Sequence, residues 1–461
     1  MNILDWFSGE KKEKSIVIDS ASKVPAEIVV QFIGGHPVVY YKSNTNTYLR
    51  KGFEGNHMIF TIADWCARKM TCIPPILYNV KDKSAAKDYK YLRKEGSFDS
   101  YLAARKIKEQ AFKEVKDHQI LDVLANPNPL MSWDEFIYGY FIFKKFVGNS
   151  IIQGIATENG LNAGKVQELW LLPSNYITPV GGQGLDAIDH YTDSRHPDLK
   201  IPTDYLIVTR NFSADYRTPG AQLSGMSVLQ AATGQLTKSN TSLEAETEAL
   251  QNRGARNLIF PKIPKELMGG LTLPSGETVD TMNQDLRKRL KEAGNQGTIV
   301  NSIELGHIQI GMSPVDLQIL ETNKADIQLW CSLFHVDSRA VYNDHQSSTK
   351  DNMQTARLNS IVDGVFPDLE ALKNGLNQKF IKTWGDEFYL DFDYTVLAEI
   401  QAQLRETAEK MASTGVFTTN EIREIWKYEK YNGMNGDKIL VASTKRILDD
   451  LDNVLDDAPI E

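Results

Sequence analysis

The apolar residues between positions 56 and 80 recur every three or four positions, which is the spacing of one face of an α-helix. These positions are Ile59, Ile62, Cys66 and Met70. Pro74 and Pro75 cannot continue a helix, so they predict its end and the start of an extended segment. The pattern therefore predicts a helix with one buried face, followed by a strand.

A second helix is predicted over residues 132–147, where aromatic side chains are frequent. Ser132 is placed to cap its first turn, and Glu135, three residues on, completes the pattern of a capping box. Over residues 150–210 the pattern changes to short apolar runs separated by turn residues, which predicts strands. Helical and strand-like patterns together indicate an α+β fold.

Residues 226–253 carry a leucine at every seventh position, and the positions between are mostly Ala, Thr, Ser, Gln and Glu. The leucines are Leu229, Leu236, Leu243 and Leu250. So narrow an apolar stripe favours a long helix held between neighbours over a helix laid on a broad core. Gly254 supplies the stop. The alternative interpretation is a lone surface helix with a thin contact seam.

A polar loop is predicted at residues 337–352, between two helices. The first helix opens with Ser313 as its N-cap, and the second ends at Pro367. The loop holds almost no apolar residue, and its candidate binding residues are Arg339, Tyr342, His345 and Lys350. A loop of this length between helices is uncommon unless it carries a function or is disordered. An ordinary exposed loop is the alternative.

The last part of the chain is predicted to be helical. An apolar stripe runs from Leu397 to Met411, and Thr418 with Glu421 has the spacing of another capping box. The acidic end, which reads DDLDNVLDDAPIE, is expected to fray.

A chain of 461 residues is too long for one ordinary core, which predicts about two to four packed units. The net charge of −9 argues against a protein that grips DNA through many phosphate contacts. It is compatible with a channel through which DNA slides. In residues 81–118 basic and acidic side chains are interspersed, which favours a solvated helix and loop over a nucleic-acid patch.

The three cysteines, Cys66, Cys72 and Cys331, lack the spacing of a metal site and predict a reducing compartment. The opening residues MNILDWFSGEKKEKS resemble neither a signal peptide nor a membrane span. No apolar run reaches the roughly 20 residues that a spanning helix needs. We therefore expect a soluble protein with no membrane partner.

The sequence lacks the motifs G-x-x-x-x-G-K-[ST], H-E-x-x-H and G-x-S-x-G, so no catalytic residues and no cofactor are predicted. One segment offers oxygen and imidazole ligands of the kind that bind divalent ions. Its candidate ligands are Asp186, Asp189, His190, Asp193 and His196. Solvated acids in a loop explain the same residues, so no metal site is predicted and a metal-dependent enzyme remains only an alternative.

Several segments resemble, in order and wording, the large portal protein family of tailed bacteriophages. They lie at residues 56–80, 124–152, 168–180, 204–215, 223–232 and 320–356, followed by Pro367. Among them are ELWLLPSNYITPV and LSGMSVLQAA. Each motif alone is weak, whereas their common order is specific. Two departures affect loop shape: Val336-Asp337 stands where the family often has Pro, and Val228 stands where Pro is common.

The resemblance implies a non-enzymatic ring of identical subunits, usually twelve, around the channel for double-stranded DNA at one capsid vertex. Each subunit would have a mixed α/β wing, a helical stem, a small clip and a helical crown. By order along the chain, we expect an N-terminal arm and wing at 1–222, a stem helix at 223–253 and the clip at 254–280. A second stem helix is expected at 281–296, wing strands and a helix at 297–336, and the channel loop at 337–352. A wing and crown connection at 353–395 and the crown with the acidic tail at 396–461 would follow. The β-rich stretch at 150–210 is the rival for the clip.

The resemblance also implies partners: the large subunit of the terminase, a head-tail adaptor, and the major capsid or scaffolding protein. The location would be the portal vertex of the virion, after assembly in the host cytoplasm. The four leucines would form a seam between stem helices of neighbouring subunits, and the four loop residues would face DNA. Repetition around a ring lets weak contacts suffice, and phosphate contacts carry no sequence information. Another head or connector protein, and a DNA-binding module that forms no ring, are the alternatives.

Overall fold

The computed structural model describes residues 28–33, 36–41, 44–95, 98–160, 162–181, 188–214, 223–251, 257–261, 288, 305–309, 319–342, 350–414, 418–426, 428–433, 436–438, 440–441 and 446–447. Its helices are α1 Thr45–Thr47, α2 His57–Thr71, α3 Lys83–Glu95, α4 Phe98–Ala111, α5 Gln119–Ala125, α6 Trp133–Ile142, α7 Thr233–Gln251, α8 Ile319–Leu333, α9 Ser338–Tyr342, α10 Lys350–Gly364, α11 Phe366–Gly375, α12 Ala398–Thr414 and α13 Thr419–Ile425. Turns of π-helix at Tyr48–Glu54, Phe143–Val147 and Leu376–Phe380 extend α1, α6 and α11.

The strands are β1 Ile28–Ile33, β2 His36–Tyr41, β3 Pro75–Val80, β4 Phe112–Val115, β5 Asn149–Ala156, β6 Val166–Leu172, β7 Ile177–Gly181, β8 Ile188–Asp193, β9 His196–Ile201, β10 Leu206–Arg210, β11 Asn257–Pro261, β12 Leu305–Gln309, β13 Phe388–Phe392, β14 Leu440–Val441 and β15 Arg446–Ile447. The paired strands of the described residues run antiparallel, in three-stranded sheets of order β10-β5-β6, β13-β3-β4 and β7-β8-β9 and in the pairs β1-β2, β11-β12 and β14-β15. Helices and antiparallel sheets together confirm the α+β prediction, and six strands lie within residues 149–210.

Helix α2 lies in the main core. Its N-cap Asn56 accepts hydrogen bonds from the backbone N–H groups of Met58 and Ile59, at 3.0 and 3.3 Å. The predicted apolar face, Ile59, Ile62, Cys66 and Met70, is fully buried. Burial raises the pKa of the Cys66 thiol to about 12, so this residue is a protonated packing side chain. The prediction for this helix, and for the strand that follows Pro74, is confirmed.

Helix α6 begins with the predicted capping box. The side chain of Ser132 accepts from the Glu135 N–H at 3.4 Å, and the Glu135 carboxylate accepts from the Ser132 N–H at 3.2 Å. The π-helical turn Phe143–Val147 ends at Gly148, whose φ of +90° suits glycine. A Cβ at Gly148 would collide with the backbone of Gly225, so the chain passes too closely there for any side chain.

Two lysines of that turn are buried against one carboxylate. The Nζ atoms of Lys144 and Lys145 lie 2.9 and 2.8 Å from the two oxygens of Asp368, in the first turn of α11. The residues are 4%, 8% and 5% exposed. Buried charges are tolerated when they are paired, and breaking such a pair is strongly destabilising. The Lys144, Lys145 and Asp368 cluster therefore joins the end of α6 to the start of α11.

A second, smaller core holds the hairpin of α3 and α4 against the β13-β3-β4 sheet. Its buried residues are Tyr78, Ala86, Tyr89, Ala104, Ala111, Phe112 and Tyr389. At its edge, the hydroxyl of Tyr89 donates to the buried carboxylate of Asp391 at 2.9 Å, and Lys373 lies 3.2 Å from the same carboxylate. The described part of residues 81–118 thus packs as two helices and a strand, where the mixed charges alone predict a solvated helix and loop.

The C-terminal helices confirm the second capping box. The Glu421 N–H donates to the Thr418 hydroxyl at 3.2 Å, and the Thr418 N–H donates to the Glu421 carboxylate at 3.0 Å. The acidic segment 448–461 lies outside the described residues. Among the helices that the structure describes, none is both long and apolar enough to cross a membrane.

Candidate functional site

The leucine-bearing helix α7 packs along α8, and their contact is polar. The Asp326 carboxylate of α8 accepts from the Gln235 side chain at 2.6 Å and lies 3.4 Å from the Lys238 ammonium. Further along, the Asn323 amide donates to the Glu246 carboxylate at 3.1 Å. Asp326 is only 1% exposed, so its charge is held inside the subunit by these two partners. We call this contact the α7/α8 seam.

Helix α7 is also tied to the N-terminus of α2. The Asn56 side chain donates to the Ser239 hydroxyl at 3.1 Å and to the Asn240 side-chain oxygen at 2.7 Å. The Asn240 amide in turn donates to the Lys51 carbonyl at 3.0 Å. Ser239 and Asn240 are 1% and 6% exposed. Several polar side chains of α7 therefore contact other parts of the same subunit. The apolar stripe is narrow, so it leaves enough of the helix surface for these polar contacts.

The structure corrects half of the predicted leucine seam. Leu229 and Leu236 are fully buried in the main core of their own subunit, so their side chains are already covered and do not reach a neighbouring subunit. Leu243 is half-buried beside the same core. The side chain of Leu250 lies outside the described part. A role between subunits stays a prediction for Leu243 and Leu250.

The start of α7 is also later than predicted. The helix begins at Thr233, because residues 228–232 form turns in place of the first helical turns expected from residue 226. The Ser227 hydroxyl accepts from the Leu229 N–H at 3.2 Å, and the Ser227 carbonyl accepts from the Gln230 N–H at 3.1 Å. These hydrogen bonds to Ser227 hold the segment in turns and so compete with the backbone hydrogen bonds of a helix.

Beyond α7, strands β11 and β12 pair antiparallel, with Ile259 opposite His307. This pairing brings residues 257–261 and 305–309 together, although they were expected to belong to the clip and to the wing. The second stem helix expected at 281–296 falls outside the described residues except for Lys288. Within the described residues, the helix that accompanies α7 is α8.

The predicted polar loop 337–352 is helical at both ends. Helix α9 occupies Ser338–Tyr342 and α10 begins at Lys350, which leaves residues 343–349 outside the described part. Asp337 explains the difference, because its carboxylate accepts from the Arg339 N–H at 2.8 Å and so caps α9. The Asp337 N–H donates to the Ser360 hydroxyl at 2.8 Å, which fixes α9 against α10. The expectation of a loop over the whole of 337–352 is therefore corrected.

A sharp turn of the chain precedes α9. His335 has a φ of +58°, and it is the one residue other than glycine with a positive φ in the described part of the chain. Left-handed backbone is costly for a residue with a Cβ. Gly364 of α10 passes close to this turn, and a Cβ there would lie 3.2 Å from the His335 carbonyl oxygen and 2.8 Å from Val336. The turn sets the direction in which the chain leaves α8.

Two of the four candidate loop residues are engaged inside the subunit. The Arg339 guanidinium binds both oxygens of Asp337, and these hydrogen bonds lower the pKa of the Asp337 carboxyl. The Tyr342 hydroxyl donates to the Met58 carbonyl at 3.0 Å, and burial raises its pKa to about 12. His345 and the side chain of Lys350 lie outside the described part. DNA contact by these four residues stays a prediction.

The candidate metal ligands form separate pairs. Asp189 lies 2.7 Å from the His190 ring, while Asp193 makes a bidentate ion pair with Arg195, whose hydrogen bonds lower the pKa of Asp193 to about 2. Asp186 lies outside the described residues, and within them no group of three His, Cys, Asp or Glu could hold an ion. The Asp193 and Arg195 pair instead closes the turn between β8 and β9.

The sequence pattern does not identify Asp326 and Asn56 as the residues that position α7. Asp326 carried a detectable signal, because it interrupts the apolar face of α8 one turn before the buried Trp330. A charged residue beside an apolar stripe predicts a buried polar partner. Its partner could not be identified, since Gln235 is 91 positions away in the chain.

Comparison with known proteins links this arrangement to one family. A family model described as Phage portal protein matches residues 101–426, well over half of the chain. An uncharacterized protein of Rickettsia bellii (strain RML369-C) is 22% identical over 318 residues, which cover 69% of this chain and 80% of that protein.

Two solved structures share the fold. A chain in the neck of an empty gene transfer agent particle, computed with C6 symmetry, aligns with a TM-score of 0.57 at 18% identity, over 86% of this chain and 96% of that chain. A chain in the neck of the native particle, computed with C12 symmetry, aligns with a TM-score of 0.54 at 17% identity, over 84% and 93%.

Proposed function

Since the chain belongs to the phage portal protein family, we propose that its copies close into a ring that forms the DNA channel at one vertex of a capsid. The observation that carries the proposal is the extent of the family match, which includes α7, β11, β12, α8 and α9. The family is one of structural proteins, and we infer no catalytic activity for this chain.

The α7/α8 seam supports a stem of two helices. The seam and the contacts of Asn56 hold α7 to its own subunit on one side, so the opposite flank of the helix pair is available to neighbours or to a channel. We assign the stem to α7 and α8 and the clip to the chain between them, based at the β11-β12 pair. The wing then comprises the sheets before α7 and β13, and the crown begins near α12.

The proposed channel segment runs from Asp337 to Lys350. Its described start is a short capped helix fixed to α2 and α10. Arg339, Tyr342, His345 and Lys350 are its candidate DNA contacts, and Leu243 and Leu250 are the candidate contacts between stems. The net charge of −9 suits a channel through which DNA slides, because a protein with an excess of negative charge does not hold DNA phosphates tightly.

The proposed assembly has twelve subunits, as in the C12 symmetry of one neck particle of the same fold. Its proposed partners are double-stranded DNA, the terminase large subunit during packaging, a head-tail adaptor afterwards, and the major capsid or scaffolding protein around it. Assembly would take place in the host cytoplasm, and the finished ring would reside in the virion.

Electron microscopy and mass measurement of the purified chain test the ring. The expected particle is an annulus of about 620 kDa, twelve times the subunit mass of 51.9 kDa. Gold labels on a cysteine placed at the exposed Glu244 of α7, in a Cys72→Ser chain, should line the lumen side of that annulus. Particles that remain single subunits, or labels on the outer rim, contradict the proposal.

A further inference from the structure

Helix α3 carries a basic face that its own subunit leaves uncovered. Lys83, Lys87 and Tyr91 follow one another at intervals of four residues, so they lie on one side of the helix. Tyr91 is 70% exposed, and both lysines are exposed. No ion pair involves either lysine among the residues that the structure describes. We call these three residues the basic stripe.

The opposite face of α3 is committed to the subunit. Tyr89, on this opposite face, is buried and bonds Asp391. At the margin of the basic stripe, the Lys90 ammonium lies 4.2 Å from the centre of the Tyr389 ring. The helix therefore cannot turn its lysines inward. Over residues 83–95 the sequence has five cations and two anions, a local excess of three positive charges in a chain of net charge −9. Such a positive patch attracts anionic partners, and an acidic segment of the same chain is present at high effective concentration.

The C-terminal part of the same chain already lies on this hairpin. Glu421 of α13 is 3.3 Å from Lys106 of α4, and Lys430 is 3.9 Å from Glu109 of α4. Exposed pairs of this kind contribute little stability individually. They do show that the chain after α12 runs beside the hairpin to which the basic stripe belongs.

The segment 448–461, which lies outside the described residues, has the opposite composition. It contains six acidic residues and no basic one. Its apolar residues Leu448, Leu451, Val454 and Leu455 recur at helical spacing, so the sequence predicts an acidic helix with one apolar face. An apolar face of this kind is stabilised by packing against another surface, which a frayed chain end does not do.

The length of the acidic segment allows the two to meet. The β14-β15 pair turns the chain back, with Ile447 opposite Leu440, so the segment begins close to Lys438. Its 14 residues can extend by about 46 Å, whereas α3 is about 20 Å long. We propose that the acidic segment 448–461 docks on the basic stripe of its own subunit, with its carboxylates at Lys83 and Lys87 and its apolar residues at Tyr91. The contact would fasten the end of the chain to the outer side of the α3/α4 hairpin.

Zero-length carbodiimide crosslinking of the full chain tests the proposal, because it joins only carboxylates and amines in contact. Mass spectrometry should find Asp449, Asp450, Asp452, Asp456 or Asp457 joined to Lys83 or Lys87, with at least a tenfold lower yield in 0.5 M salt. Lys113 and Lys116 are the matched controls, since they are also exposed and lie in the same region of the chain. A mixture of ¹⁵N-labelled and unlabelled chains separates crosslinks within a subunit from those between subunits.

The variant Lys83→Glu/Lys87→Glu provides the second measurement. It should increase hydrogen exchange in residues 448–461, whereas Lys113→Glu/Lys116→Glu should leave exchange there unchanged. Crosslinks spread evenly over all four lysines, or found only between differently labelled chains, overturn the proposal. It is also overturned if a short DNA duplex binds the stripe of a chain that shows no crosslink from the acidic segment.

Discussion

The Arg339 guanidinium and the Asp337 carboxylate form a bidentate ion pair across one turn of the chain. Nε of Arg339 lies 3.0 Å from Oδ1 of Asp337, and Nη2 lies 2.6 Å from Oδ2. The arginine that was expected to meet DNA therefore carries its own counterion. In a ring, this pairing would repeat in every subunit and would reduce the positive charge at the start of the channel segment.

Replacing Asp337 by Asn should release that charge. Asn keeps the N-cap of α9, whereas the ion pair is lost. We expect the assembled protein to bind a DNA duplex several-fold more tightly at low salt, with the difference shrinking as salt is raised. Fluorescence anisotropy measures it, and Asp363→Asn, at an exposed position of α10, is the control. Equal gains in both variants would show that only net charge matters.

The two buried leucines should stabilise the subunit itself. Leu236→Ala should lower the free energy of unfolding of the single subunit by about 2–5 kcal/mol, because it opens a cavity in the core. Leu243→Ala should cost the single subunit less, since Leu243 is only half-buried. Urea unfolding at concentrations below assembly measures both. A loss for Leu243→Ala as large as that for Leu236→Ala would contradict the deeper burial of Leu236 in the core of its own subunit.

The left-handed backbone at His335 predicts opposite effects for two substitutions. His335→Gly should raise the free energy of unfolding by about 0.5–1 kcal/mol, because glycine adopts a positive φ without a Cβ clash. His335→Val should lower it by about 1–2 kcal/mol, since a β-branched residue is disfavoured there. Thermal unfolding measures both. As a control, Ser332→Gly on the exposed face of α8 should destabilise by about 0.5 kcal/mol.

The buried Asp391 makes stability depend on acid. Burial by itself raises the pKa of this carboxyl, but the charges of Lys373 and Arg93 outweigh it, and the pKa lies below its ordinary value. The stabilisation is therefore present above the unfolded-state pKa of about 3.9 and is lost as the pH falls through the lower folded value.

Asp391→Asn should accordingly lower the free energy of unfolding at pH 7 by about 3–5 kcal/mol, because Lys373 loses one of its two buried or half-buried partners. The difference from the unsubstituted chain should narrow below pH 4. Urea titrations at pH 7 and pH 3.5 measure it. A difference that does not change with pH would assign the loss to packing alone.

The link from Asn56 to α7 should be separable from the cap of α2. Ser239→Ala and Asn240→Ala remove acceptors of the Asn56 amide but leave its oxygen on the N–H groups of Met58 and Ile59. Each should cost about 1–2 kcal/mol and increase hydrogen exchange in α7. Asn56→Ala should cost more, and should also increase exchange in the first turn of α2.

The elements that could be predicted are those whose signals are local. Examples are the period of α2, the capping boxes of α6 and α13, and the two prolines at the start of β3. Each of these signals lies within a few residues of the element that it determines. Helix α9 also carries a local signal, because Asp is a common N-cap residue, but Asp337 stands among polar residues whose pattern predicts a loop.

The placement of the leucine stripe could not be predicted, because the same spacing suits a core and a subunit interface. The structure decides for Leu229 and Leu236, because both belong to a core whose other residues, such as Ile59 and Trp330, are distant in sequence. The pairing of β11 with β12 likewise depends on residues more than 40 positions apart. Contacts between residues so far apart produce no periodic pattern in a single sequence, so the sequence could not predict them.

The Lys144, Lys145 and Asp368 cluster has a mechanical consequence. Pulling α11 away from the turn after α6 would strand unpaired charges in apolar surroundings, at a far greater penalty than the separation of two exposed ions. If the proposed ring carries DNA under tension, we expect this junction to hold while weaker attachments yield first, such as the exposed ion pairs of Lys106 with Glu421 and of Lys430 with Glu109.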